Sequence, residues 1–278
     1  MIRQLAMFTV LASIAIGQAS AQERVSLKPV FKADQESRYV IAGAVETTIS
    51  PSGTNGIAYN LRREMNATVL IRTIKAGDNE VTLEAVVESV TSNSSAAGSG
   101  PVEAAGKKIE LTISCTGQLL KCSIPNSFAY QTVADLLLST IAWNPRAEVK
   151  IGDSWENNGS GPVHSDRLSA ITRDAKTSYK LASLANGVAS IEGAATLSEN
   201  GTSPLNSGGV SDIAVIAGGK GISHVDFDTN AGRILGAVTD SHLEGKASYT
   251  RPSAAGEKLQ SREGSLMETS KFSIKLIQ

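Results

Sequence analysis

Apolar residues recur at every second position over most of this chain, and that period sets its fold class. Ile109, Leu111, Ile113 and Cys115 alternate along one segment, and Leu120, Cys122 and Ile124 along the next. Successive side chains of a strand point to opposite faces, so a two-residue period marks a strand with one face buried and one in water. The same pattern predicts strands over 38–49, 60–75, 79–90, 107–115, 118–124, 166–174, 176–184, 188–198, 221–228, 232–249 and 266–277. Residues 60–75 and 79–90 read as a hairpin about Gly77-Asp78, with Ile74 opposite Val81 and Leu70 opposite Ala85. Leu83 and Val87 share the buried face, and Arg72 is its one charged member. Asn186-Gly187 marks a further hairpin. Three stretches rich in Gly, Ser or polar residues read as loops: 92–106, 199–220 around Ile213–Ile216, and 251–264.

One segment changes period. Tyr130, Val133, Ala134, Leu137 and Ile141 recur at helical spacing. Ser127 suits an N-cap and Asn144-Pro145 a stop, which predicts an amphipathic helix at about 128–142. The expected fold is therefore mainly β (α+β). It is a single domain over 22–278, a curved antiparallel sheet or half-barrel covered by one central helix.

The N-terminus MIRQLAMFTVLASIAIGQASAQE has Arg3 as the only charge in its first 21 residues. Leu5 to Ile16 are mainly apolar, and Ala19-Ser20-Ala21 fits a small-residue cleavage site. This is the layout of a signal peptide over 1–21. The apolar run is shorter than the roughly 20 residues a spanning helix needs, and no later segment reaches that length. The expected location is the periplasm or the exterior, with no transmembrane segment after cleavage.

An even cysteine count in an oxidising compartment favours a disulfide, here Cys115 to Cys122. Two geometries compete. A two-residue turn at Thr116-Gly117 sets Leu111 opposite Cys122 and holds the two sulfurs apart. A longer loop over 116–121 brings the cysteines face to face.

With 26 Lys and Arg against 27 Asp and Glu, the net charge is −1. A nucleic-acid partner calls for a basic field, which this balance does not supply. Five Phe, five Tyr and two Trp leave little for an aromatic stacking platform.

Motifs for catalysis are missing. The sequence has no G-x-S-x-G elbow, no Walker A loop and no G-x-G-x-x-G. His164, His224 and His242 lack metal-ligand spacing, and no cofactor is implied. Asp226, Asp228 and Asn230 match the alternation of a calcium loop. However, Ala231 stands where such a loop has Gly, and Ala237 where it has a bidentate Glu. A hairpin with its turn at 229–232 explains these residues better. It sets Asp228 opposite Arg233 and Asp226 opposite Leu235, with Val225, Phe227, Ile234 and Val238 on the buried face. Asp240, His242 and Glu244 form an alternating row that could bind a ligand or carry protons. Trp155 in Gly152-Asp153-Ser154-Trp155 is either a binding anchor or a core residue.

Two of these patterns carry a resemblance. Gly152-Asp153-Ser154-Trp155 and the Phe227-Asp228-Thr229-Asn230-Ala231-Gly232-Arg233-Ile234 hairpin resemble those of secreted bacterial β-rich proteins of unknown function. The layout also resembles, more loosely, periplasmic half-barrels of the lipoprotein-carrier type. That likeness implies a curved sheet binding acyl chains, with a lipid or an envelope protein as partner. The expected function is a non-enzymatic binding or carrier module for an apolar ligand or an envelope partner. The alternatives are an envelope hydrolase using dispersed acids and His, and a structural surface module.

Overall fold

The computed structural model describes residues 24–52, 59–77, 79–94, 105–114, 119–125, 130, 133, 134, 137, 147–162, 171–207, 210–251 and 260–277. The expected signal peptide, His164 and Cys115 lie outside them.

Eleven strands form one antiparallel sheet. They are β1 (Glu36–Pro51), β2 (Tyr59–Ala76), β3 (Glu80–Ser94), β4 (Lys108–Ser114), β5 (Leu119–Ser123), β6 (Ser154–Pro162), β7 (Ile171–Ala185), β8 (Val188–Ser207), β9 (Val210–Asp228), β10 (Arg233–Arg251) and β11 (Gln260–Leu276). Their order is β5-β4-β3-β2-β1-β11-β10-β9-β8-β7-β6. Every neighbour follows in sequence except β11 and β1, which pair from Tyr39↔Leu276 to Pro51↔Gly264. The two edges, β5 and β6, are consecutive in the chain.

Of the expected helix at 128–142, only Tyr130, Val133, Ala134 and Leu137 are described. Each has helical backbone. Each is buried against Tyr39, Ile41, Met65, Val69, Val87, Ile109 and Leu111. The rest of that segment lies outside the described residues, and no complete helix stands among the described elements.

The buried face follows the strand period. A second cluster joins Leu27 and Val149 to Leu181, Ile191, Val225, Phe227 and Ile234. A third, at the opposite end, joins Ile49, Leu197, Ile213, Val215, Leu243, Ala247 and Leu266. The outward positions of β7–β11 carry exposed Lys176, Lys180, Glu192, Lys220, His224, Lys246, Glu263 and Lys271. The same outward face also carries exposed Ile216, Ile222 and Met267.

Several registers differ from expectation, and bulges are the cause. β2 and β3 shift at Thr68/Val69 and at Thr73/Lys75, so Ile71 faces Ala85, Ala76 faces Val81, and Ile74 is left exposed. Arg72 consequently turns outward, where its Nε donates to Glu36 at 2.6 Å. Of the residues expected as a loop over 199–220, 199–207 belong to β8 and 210–220 to β9. Gly219 explains part of this. A Cβ there would lie 2.0 Å from the His242 carbonyl oxygen and 2.7 Å from Leu243 Cα. Glycine here serves close strand approach, which local composition mimics as a loop. The strands expected at 166–174 and 176–184 are one strand, β7, from 171 onward.

Of the expected disulfide only Cys122 is described, since Cys115 lies outside the described residues. Leu111 pairs with Cys122, the partner that the two-residue turn predicts. Cys122 is a free, exposed thiol.

Candidate ligand cavity beneath the N-terminal strap

Residues 24–35 run outside the sheet ladder and cross one end of the sheet. Val25 bridges Val149, which precedes β6, through N–H···O bonds of 2.8 and 3.0 Å. The Val30 amide donates to the Gly232 carbonyl at 2.9 Å, on the β9–β10 turn. The Asp34 amide donates to Thr73 O at 3.1 Å, and Thr73 N to Gln35 O at 3.0 Å, at the end of β2. The segment is thus a strap, tied at both ends and near its middle. Leu27 is its anchor, 1% exposed within the cluster around Phe227. Phe31 packs on Val81, Leu83 and Ile113.

Between strap and sheet lies a cavity of about 80 Å³. Its walls include Phe31 from the strap, Tyr39 and Ile71 from the sheet, Leu137, Phe227 and Arg233. An empty apolar cavity of about 150 Å³ takes up benzene, so this one holds a small group and no whole acyl chain. Gln35, Ser37, Tyr39, Thr73 and Arg233 are its polar lining residues. The Tyr39 hydroxyl donates to Ile234 O at 3.2 Å, and burial pushes its ionisation upward, against the nearby Arg233 charge. Arg233 Nε is buried and has no hydrogen-bond partner.

The residues singled out from sequence fall elsewhere. His242 and Glu244 meet through Nε2 and Oε1 at 2.9 Å, and Asp240 lies 3.7 Å from Lys271 Nζ. His242 and Glu244 are exposed on the outer face and Asp240 is half-exposed beside them, and none of the three lines the cavity. Asp226 contacts His224 Nε2 at 3.1 Å, also on the outer face. Asp228 accepts the Asn230 and Ala231 amides on Oδ1, each at 2.9 Å. That is an Asx turn, which closes the hairpin and explains the calcium-like spacing. Among the described residues no three His, Cys, Asp or Glu come together to hold a metal ion.

The hairpin register holds at Asp228↔Arg233 but breaks next to it. A bulge between Ile234 and Gly236 sets Asp226 opposite Gly236, not Leu235. Ala237 therefore turns inward, and Val238 is 39% exposed, contrary to its expected burial.

Trp155 is half-buried. It stands opposite Tyr179 in the ladder, and their rings stack at 5.9 Å. Gly152, with φ of 92°, and Asp153, which accepts Lys150 N on Oδ2 at 3.0 Å, make the turn that delivers it. Trp155 packs against the Leu181–Phe227 cluster and so serves the core. The cavity residues Tyr39 and Arg233 were not singled out. Their only sequence signal is that Arg233 follows the turn glycine, which does not distinguish a cavity wall from a solvated strand end.

Comparison with known proteins adds a family match. The model of a family of unknown function (DUF6263) matches residues 102–234. No curated protein matches the sequence. Among solved structures, one titled for lipid–protein interactions in lipovitellin is similar over 90% of this chain at 9% identity, with a TM-score of 0.44. The chain spans 26% of that lipovitellin chain. The outer membrane protein OprG from Pseudomonas aeruginosa is similar over 90% of this chain and all of its own, at 9% identity and a TM-score of 0.28. An outer membrane channel from Pseudomonas putida F1 covers 90% of this chain and 98% of its own, at 7% identity and a TM-score of 0.20. No helix among the described residues is long and apolar enough to cross a membrane.

Proposed function

We propose that this protein is a non-enzymatic envelope module, periplasmic or secreted, that binds an apolar ligand between its strap and its curved sheet. The observation that carries this reading is the cavity itself. It is lined mainly by apolar side chains, and one wall is a segment held by a few backbone hydrogen bonds, two at each end and one at its middle, rather than by a ladder. Ligand sites are concave, mostly apolar and supplied with a few placed polar groups. The tie at Val30 and Gly232 is one bond, so displacing the strap's middle breaks little and lengthens the cavity. The N-terminal sequence supports export.

The test uses the mature chain and the neutral probe N-phenyl-1-naphthylamine. Saturable fluorescence enhancement at one probe per chain is expected, with displacement by 1-dodecanol. Absence of enhancement, together with no lipid carried through gentle purification in native mass spectrometry, would overturn the reading.

A further inference from the structure

We infer that the cavity selects amphiphiles with an anionic head, and that Arg233 holds that head; this rests on the carrier reading above. The guanidinium is always ionised at physiological pH. Removing an ion from water is costly unless it is paired and hydrogen-bonded. Here Nε is buried with its N–H unmatched, the one such buried side-chain atom among the described residues. The acid opposite it in the ladder is Asp228. Asp228 makes no ion pair with it, and its Oδ1 already receives the Asn230 and Ala231 amides. The other cavity residues offer no carboxylate: Gln35, Ser37, Tyr39 and Thr73 are neutral, and the rest are apolar.

Arg233 as a whole is part-exposed, but its buried Nε faces a largely apolar lining in which the chain provides no counter-charge. A ligand carboxylate or phosphate would supply it, with N–H···O bonds roughly twice as strong as neutral ones. Tyr39 lies within electrostatic reach of Arg233, and its hydroxyl, now given to Ile234 O, is a second group near the head. The apolar walls, Phe31, Ile71, Leu137, Phe227 and Ile274, accept the first carbons of a chain. The roughly 80 Å³ available fits a head and a short stub. The remainder of the chain would extend beneath the displaced strap. The shared chemistry is one acidic head on a single alkyl chain. A fatty acid and a phosphate monoester are its two sources.

The experiment is titration calorimetry of the mature chain with dodecanoate, dodecyl phosphate and 1-dodecanol, each below its aggregation limit. The expected result is binding of at least one anion about tenfold or more tighter than the alcohol, as hydrogen bonds to a charged group require. Which anion wins identifies the source. Arg233→Met should close that gap while dodecanol affinity stays, and Arg233→Lys should restore part of it. Added salt should narrow the gap in the wild type, a readout that needs no variant to fold. Equal affinity for alcohol and anions would overturn the head-group assignment and leave the carrier reading standing. Failure of all three to bind would overturn both.

Discussion

Arg173 on β7 donates a 2.6 Å hydrogen bond to Glu268 on β11, although β8, β9 and β10 lie between those strands in the sheet. A flat sheet would hold strands four places apart at roughly 19 Å. The contact therefore measures the curvature directly: the inner faces of β7 and β11 meet. Arg173 also pairs with Glu199, its ladder neighbour on β8, through Nε at 2.5 Å. Thr47 Oγ1 donates to the far oxygen of Glu268 at 3.1 Å. One cation thus holds two nearly buried acids across the sheet interior, at the end remote from the cavity.

Arg173→Met is expected to be strongly destabilising. It would leave Glu199 and Glu268 buried beside each other without a cation. Breaking a buried pair from one side costs on the order of 3 kcal/mol. Urea unfolding should show that loss, and the double variant that also carries Glu199→Gln should recover part of it. A loss under about 1 kcal/mol would mean that the sheet's curvature does not depend on this bridge.

The same cluster has a pH signature. Burial raises the Glu199 carboxyl above its usual range; the Arg173 charge opposes this and Glu268 adds to it. The folded state thus holds this proton more firmly than the unfolded chain. Its stabilising contribution is complete below the ordinary carboxylate value of about 4.3 and is lost as pH rises through the raised folded value. Glu199→Gln removes that dependence. Thermal unfolding between pH 4.5 and 7.5 should show the variant gaining on the wild type as pH rises. A constant difference in Tm across that range would count against it.

Gly232 ties the strap to the β9–β10 turn. Its φ is 64°, in the left-handed region, and a Cβ would lie 2.7 Å from Val30 N and 2.4 Å from Val30 Cγ2. Gly232→Ala therefore meets both backbone strain and a clash with the strap. A loss of about 1–2 kcal/mol is expected. Hydrogen exchange should locate the effect at the Val30 amide, with protection of the β8–β9 ladder unchanged. Uniform loss of protection would show that the strap unfolds only with the whole sheet.

Cys122 should react with a thiol reagent such as dithionitrobenzoate in the native protein, without prior reduction, because it is exposed and free. A native protein with no reactive thiol, releasing two on reduction, would instead show the Cys115–Cys122 disulfide.

Much of the sheet was legible before any coordinates. The inward parity of Ile109, Leu111 and Ile113 and the Asn186-Gly187 turn follow from local rules. Asn186 and Gly187 have φ of 52° and 76°, as a two-residue hairpin turn demands. The hairpin that sets Asp228 opposite Arg233 was legible too. What escaped local reading were single-residue shifts. The bulges at Thr73/Lys75 and Ile234/Gly236 exposed Ile74 and Val238. A bulge inserts one residue, and one residue inverts every later side chain.

The candidate site was not legible, because its walls come from sequence-distant places: the strap, β1, the β9–β10 turn and Leu137. Alternation by itself determined that this chain makes antiparallel strands, and which face of most of them avoids water, since both depend on neighbours two residues apart. Only the tertiary structure decided that β11 returns to β1, that the sheet curls until Arg173 reaches Glu268, and that Arg233 is left beside an apolar cavity. Those outcomes depend on contacts between residues far apart in the chain, such as Tyr39 and Leu276, and no local period encodes them.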